Sequence, residues 1–151
     1  GLALATACDF RVCSELSRAV QTAEIAAGVL GLPVQVRENL QEFAIGDLVG
    51  RAWDQSLFDP NVSSWLAGDL TPGFTGGETG QQVVDRVLTV LDDVADQFRG
   101  ETLLVVTHGG VLLALWGRIS PGSAVGPQHA DDVPHCASYV FERDSDGWRA
   151  G

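Results

Sequence analysis

The sequence predicts an α/β fold: a three-layer sandwich with a mostly parallel central sheet and helices on both faces. Short apolar runs alternate along the chain with stripes at helical spacing. One run, Thr102–Thr107, is continuous rather than alternating, as in a strand buried on both faces. His108-Gly109-Gly110 follows it directly, at the carboxyl end of the strand, where open α/β sheets bind ligands. With 151 residues the chain has the size of one domain, spanning 1–151.

Taken in order, the Ala-rich opening Leu2–Ala7 reads as the tail of a helix, and Phe10–Cys13 as a strand. Ser14 stands where an N-cap would, with Glu15 at the positive end of the helix dipole. Leu16, Ala19, Val20, Ala23, Ala27 and Leu30 then keep helical spacing until Gly31 and Pro33 stop it. Val34–Arg37 reads as a short strand. Glu38 to Thr79 has no sustained period and is rich in Gly, Pro, Asp and Ser, which predicts functional loops or short helices. Val84, Val87, Leu88, Leu91, Val94, Ala95 and Phe98 form an apolar stripe with Asp85, Asp92, Asp93 and Asp96 outside it. Thr79 is the expected cap of that helix and Gly100 its end. Val111–Gly117 reads as a short buried helix, and Ala137–Arg143 as a last strand.

Composition narrows the function. Nine basic residues, all Arg, face twenty acidic ones, for a net charge of −11. That balance argues against a nucleic-acid partner. The absence of Lys excludes lysine nucleophiles, Schiff bases and P-loop chemistry. No apolar run approaches the roughly 20 residues of a membrane span, so no membrane partner is expected. Cys8, Cys13 and Cys136 are odd in number and irregularly spaced. They read as buried structural thiols in a reducing compartment, which predicts a cytoplasmic location. His129, Asp131, Asp132, His135 and Cys136 cluster in the sequence, but their spacing matches no established metal site. No metal and no cofactor are expected. No G-x-S-x-G elbow occurs either.

Two places suit anion chemistry. Arg18 sits in the first turn of its expected helix, where N-terminal amides and a guanidinium fork favour phosphate. His108 ends the Thr102–Thr107 strand, and the glycines after it let the backbone approach a ligand closely. With their flanks, these segments carry a resemblance. Ser14–Ala23, SELSRAVQTA, is similar to S-x-L-x-R-A-x-Q-T-A. Leu40–Gly50, LQEFAIGDLVG, is similar to L-x-E-x-x-x-G-x-x-x-G. Gly76–Thr79 with Arg86 resembles a G-G-E-[ST] helix start, and Val105–Gly110, VVTHGG, a segment carrying a pocket histidine. In this order, over nearly the whole chain, they resemble the histidine phosphatase superfamily, in its phosphoglycerate mutase-like branch.

The resemblance implies a phosphoglycerate mutase-like fold and a phosphatase that hydrolyses a small phosphomonoester through a phosphohistidine. It implies that Arg18, His108 and the Gly109 amide bind the substrate phosphate, with His108 a donor rather than the nucleophile. Glu42 becomes the general acid, a role that needs a carboxyl pKa raised by burial or neighbouring charge. Glu78 would brace its helix. The family's Arg-His-Gly signature, which carries the nucleophile on the first strand, is missing from the sequence, and Cys13 stands where the family often has Ser. With Met also absent, the expectation is an N-terminally truncated chain, silent by itself, with a natural degenerate paralogue as the alternative. Between Glu38 and Thr79 the only basic residue is Arg51, which favours hydrolysis over mutase-type transfer. A catalytically inactive phosphate-ligand-binding paralogue and an assembly role for a surface around Trp53 and Trp65 are the other readings. The expected partner is a small phosphorylated substrate; a homodimer is compatible with the sequence.

Overall fold

The computed structural model describes residues 9–29, 31–52 and 54–151. The Leu2–Ala7 opening, Cys8, Leu30 and Trp53 lie outside the described residues. The elements are β1 (Phe10–Ser14), α1 (Ser17–Gly28), β2 (Val34–Arg37), α2 (Asp59–Leu66), α3 (Gly80–Gln97), β3 (Leu103–Val106), α4 (Gly109–Ile119), β4 (Phe141–Asp144) and β5 (Gly147–Ala150). Short 3-10 turns occupy Gly46–Leu48, Gln55–Leu57 and Ala130–Asp132. The chain divides into two compact units: one of Gly1–Gln41 with Arg86–His108, the other of Glu42–Asp85 with Gly109–Gly151.

The first unit holds a parallel sheet in the order β2-β1-β3. Val12 and Cys13 of β1 are fully buried, one toward each face of the sheet. Helix α1 packs on all three strands through Ala19, Ala23 and Ala27, one turn apart and all buried. Small residues on that stripe let the helix lie close to the sheet. Ser14 is not the N-cap. It pairs with Arg37, so β1 runs one residue further than the apolar run suggests, and α1 starts at Ser17 with Leu16 as its cap. Glu15 therefore falls outside the first helical turn, which contains no acidic residue.

Strand β3 departs from expectation as well. All four of its residues are half-buried rather than buried on both faces. Its described pairing is to β1 alone, from Phe10 opposite Leu103 to Cys13 opposite Val106. A strand at the edge of the described sheet keeps some of its surface uncovered. On the opposite edge, Arg37 of β2 reaches Gln97 at 3.2 Å and Asp93 at 3.7 Å on α3.

The second unit is built around Trp65, whose indole N–H donates to the Pro72 carbonyl at 2.9 Å. Phe43 stacks on Phe74 with centroids 5.1 Å apart and meets Trp65 edge-on at 5.3 Å. Trp65 is fully buried, so it forms core and not an assembly surface. Helix α2 packs on α4 beside it, and Gly117 of α4 allows the close approach: a Cβ there would run into the Trp65 carbonyl. Thr79 caps α3 in a reciprocal box. Its hydroxyl accepts from the Gln82 N–H at 3.2 Å, and the Gln82 side chain accepts from the Thr79 N–H at 2.9 Å. Along α3, Val84, Val87 and Val94 are buried as the stripe predicts, while Leu88, Leu91, Ala95 and Phe98 are half-buried.

The expected strand Ala137–Arg143 begins only at Phe141. It pairs antiparallel with β5 in a separate two-stranded sheet. The Asp-Ser-Asp-Gly turn, with Gly147 at φ 120°, makes it a hairpin rather than an extension of the parallel sheet. Cys13 is buried, but Cys136 is exposed on a left-handed backbone (φ 62°), so the expectation of buried thiols fails there.

Candidate active site

In the first unit, the carboxyl ends of the strands place His108 beside Ser14. The imidazole Nε2 lies 2.9 Å from the Ser14 hydroxyl. Ser14 is fully buried and His108 only 7% exposed. Thr107, the preceding residue, donates its hydroxyl proton to the Leu40 carbonyl at 2.7 Å, which anchors the strand end to the loop after β2. One residue earlier in that loop, Asn39 adopts a left-handed backbone (φ 70°), and its carbonyl accepts from the Arg86 guanidinium at 2.9 Å. Asn tolerates this conformation better than most residues.

Arg18 is the second residue of α1, and its side chain is exposed. Burial first, then the positive charges of Arg18 and Arg86, pull the His108 pKa from 6.5 down to about 4. At neutral pH the site is a neutral imidazole flanked by guanidinium charge. Guanidinium charge beside a neutral imidazole suits a dianion. Sequence reasoning singled out Arg18 and His108. It misread Ser14 as a cap and took Arg86 only as part of a helix start. No signal in the sequence showed that β1 extends to Ser14; helical periodicity did place Arg86 two turns into α3.

Glu42 and Gly109 belong to the second unit. The half-buried Glu42 carboxylate accepts from its neighbour's backbone, Phe43 N–H, through Oε1 at 3.0 Å. Through Oε2 it accepts from the Gly110 N–H, in the first turn of α4, at 3.0 Å. Two backbone N–H groups, one of them in the first turn of α4, hold the carboxyl group in place.

The two glycines after His108 divide their roles, contrary to the expectation that both serve ligand approach. A Cβ on Gly110 would run into the Phe43 ring and lie 2.6 Å from Glu42 Oε1. Gly110 thus makes room for Glu42. Over Gly109 a Cβ would meet only Val133 Cγ1 among the described residues, at an ordinary 3.8 Å, so a side chain there has room.

Glu78 braces the Glu42 loop: its carboxylate accepts from the Ala44 N–H at 2.8 Å, and its own N–H donates to the Ala44 carbonyl at 2.9 Å.

The cluster after α4 is occupied otherwise. Asp132 accepts from the backbone of Gln128 at 2.7 Å and of His129 at 2.8 Å, and Asp131 accepts from the Gln55 side chain at 2.9 Å. Among the described residues, no group of three or more His, Cys, Asp or Glu side chains is arranged to hold a metal. No described helix is long and apolar enough to cross a membrane.

The chain resembles known proteins along its length. A family model of the histidine phosphatase superfamily (branch 1) matches residues 2–151. Phosphoglycerate mutase-like protein 4 of Arabidopsis thaliana is 35% identical over 142 residues, which cover 89% of this chain and 59% of that protein. The metal-independent phosphoserine phosphatase of the same plant is 36% identical over 119 residues, 75% of this chain and 49% of that protein. The chain thus spans between about half and three-fifths of these curated relatives. Among solved structures, Bacillus stearothermophilus YhfR superposes with a TM-score of 0.68 at 26% identity, over 99% of this chain and 77% of that one. With its α/β architecture superposing on that solved structure, the chain belongs to branch 1 of the histidine phosphatase superfamily.

Proposed function

We propose that the protein is a phosphoric monoester hydrolase acting on a small phosphorylated substrate. The reaction runs through a phosphohistidine whose nucleophilic histidine lies outside these 151 residues. The observation that carries this reading is the buried His108 imidazole, kept neutral beside Arg18 and Arg86. Charge in phosphoryl transfer spreads over the non-bridging oxygens, and preorganised donors at those oxygens lower the barrier. Arg18 and His108 supply two such donors, and the Gly109 amide a third. Glu42 gives a proton to the leaving alkoxide. It then takes one from the water that attacks the phosphohistidine, releasing inorganic phosphate and restoring the histidine. Its two backbone hydrogen bonds fix the position of the carboxyl group for both steps.

Arginine and histidine do the charge neutralisation in this scheme, so no metal is required; one relative is itself described as metal-independent. Between residues 38 and 79 only Arg51 is basic, which favours hydrolysis over mutase transfer, where a second anionic group must be held. The free thiols Cys13 and Cys136 support a reducing, cytoplasmic setting. Turnover of p-nitrophenyl phosphate by the intact gene product tests the reading. Activity should survive EDTA and be blocked by vanadate, a mimic of the pentacoordinate phosphoryl state. Loss of activity in EDTA with recovery on adding zinc or magnesium would overturn it.

A further inference from the structure

We infer that Ser14 is a positioning residue that sets the tautomer of His108, so that the imidazole offers Nδ1–H, and not Nε2–H, to the phosphate. The inference rests on the reading of His108 as a phosphate donor and adds which nitrogen does the donating. Hydrogen-bond accounting leads to it. A serine hydroxyl has one proton to give and two lone pairs to receive with. Ser14 is fully buried, so bulk water serves neither. The Leu16 N–H donates to its oxygen at 3.3 Å, which leaves the hydroxyl proton to place. His108 Nε2, at 2.9 Å, is the acceptor in reach among the described residues.

If Nε2 carried the imidazole proton, the Ser14 oxygen would receive two donors while its own proton had no acceptor. Buried donors are rarely left in that state. With the proton on Nδ1, every group is satisfied: Leu16 N–H gives to Ser14, and Ser14 O–H gives to Nε2. The hydrogen bond at one ring nitrogen thereby fixes the proton at the other.

The charged groups acting on the ring from the neighbouring elements are Arg18 of α1 and Arg86 of α3, and both resist a second proton. Nδ1 has no partner among the described residues and is free to meet a phosphoryl oxygen. Ser14 itself never touches the substrate.

Nitrogen-15 spectra of the imidazole groups in the intact protein test this directly, with His108 assigned by comparison with His108→Asn. Wild type at pH 7 should show His108 protonated on Nδ1, with Nε2 at the shift of an unprotonated nitrogen, and Ser14→Thr should keep that pattern. Free imidazole side chains favour the Nε2–H form, so Ser14→Ala should move His108 toward it. Apparent affinity for inorganic phosphate scales with the competent fraction, so it should weaken about three- to ten-fold in Ser14→Ala and recover in Ser14→Thr.

A phosphate-responsive His108 protonated on Nε2 in wild type would overturn the inference alone, and so would an unchanged tautomer in Ser14→Ala. His108 signals that ignore added phosphate would overturn the pocket assignment, and the inference with it.

Discussion

His108 shows how one residue's surroundings decide its chemistry. Its ordinary pKa would leave it partly charged near neutrality; burial and two guanidinium groups make it neutral. The same shift makes a stability prediction. In the unfolded chain the residue titrates near 6.5, and in the folded one near 4. The unfolded state therefore binds the proton first, and stability falls as pH drops through that window, levelling off below it. The full effect is about 3 kcal/mol. Urea unfolding at pH 7 and pH 4 should show this loss in wild type, and His108→Asn should lose correspondingly less. Equal losses in both would show that His108 is not held neutral.

Arg18 and His108 stood out by residue type and position, and Glu42 only through the resemblance. Ser14 did not, because a polar residue after a short strand and before a helix reads equally as a cap; only its pairing with Arg37 decides. Arg11 was hidden too. It sits fully buried in β1, giving one hydrogen bond to the Leu32 carbonyl at 3.0 Å, and nothing in the sequence marks a strand arginine as buried.

Among the elements, α4 turns sequence into geometry most visibly. Its first two residues are both Gly, yet they do different work, and substitution separates them. Gly110→Ala puts a methyl group into the Phe43 ring and against Glu42. It should destabilise by about 1–3 kcal/mol, the usual cost of overpacking, and lower turnover of the intact protein. Gly109→Ala meets only Val133 and gains helix propensity, so its melting temperature should stay level or rise. Similar melting curves for the two variants would contradict this division.

Strong helical stripes, as in α1 and α3, were readable because Ala or Val recurs at the spacing that buries one face. The region from Glu38 to Thr79 was not, because its 3-10 turns and the eight-residue α2 are too short to show a period. The β4–β5 hairpin was half-read. The apolar residues before Phe141 masked where pairing starts, and the turn at Gly147 went unused.

For the whole molecule, the net charge of −11 makes the local placement of Arg decisive. An acidic surface repels a phosphomonoester, so the proposed function requires binding by the few cations near His108. Four short motifs in order made the family legible, and the match across residues 2–151 accords with them. The reading of a Trp-bearing surface fails at Trp65, while Trp53 lies outside the described residues. Trp65 is exposed in no part; it became the centre of the second unit's core. The central claim is that Arg18 and His108 form the pocket where phosphoryl transfer is stabilised. Its most direct test pairs p-nitrophenyl phosphate turnover with a melting curve for Arg18→Ala in the intact protein. Arg18 is exposed, so the melting curve should match wild type, while loss of one preorganised donor lowers turnover about 100- to 1,000-fold. A variant that melts like wild type and keeps more than half its rate would contradict the claim.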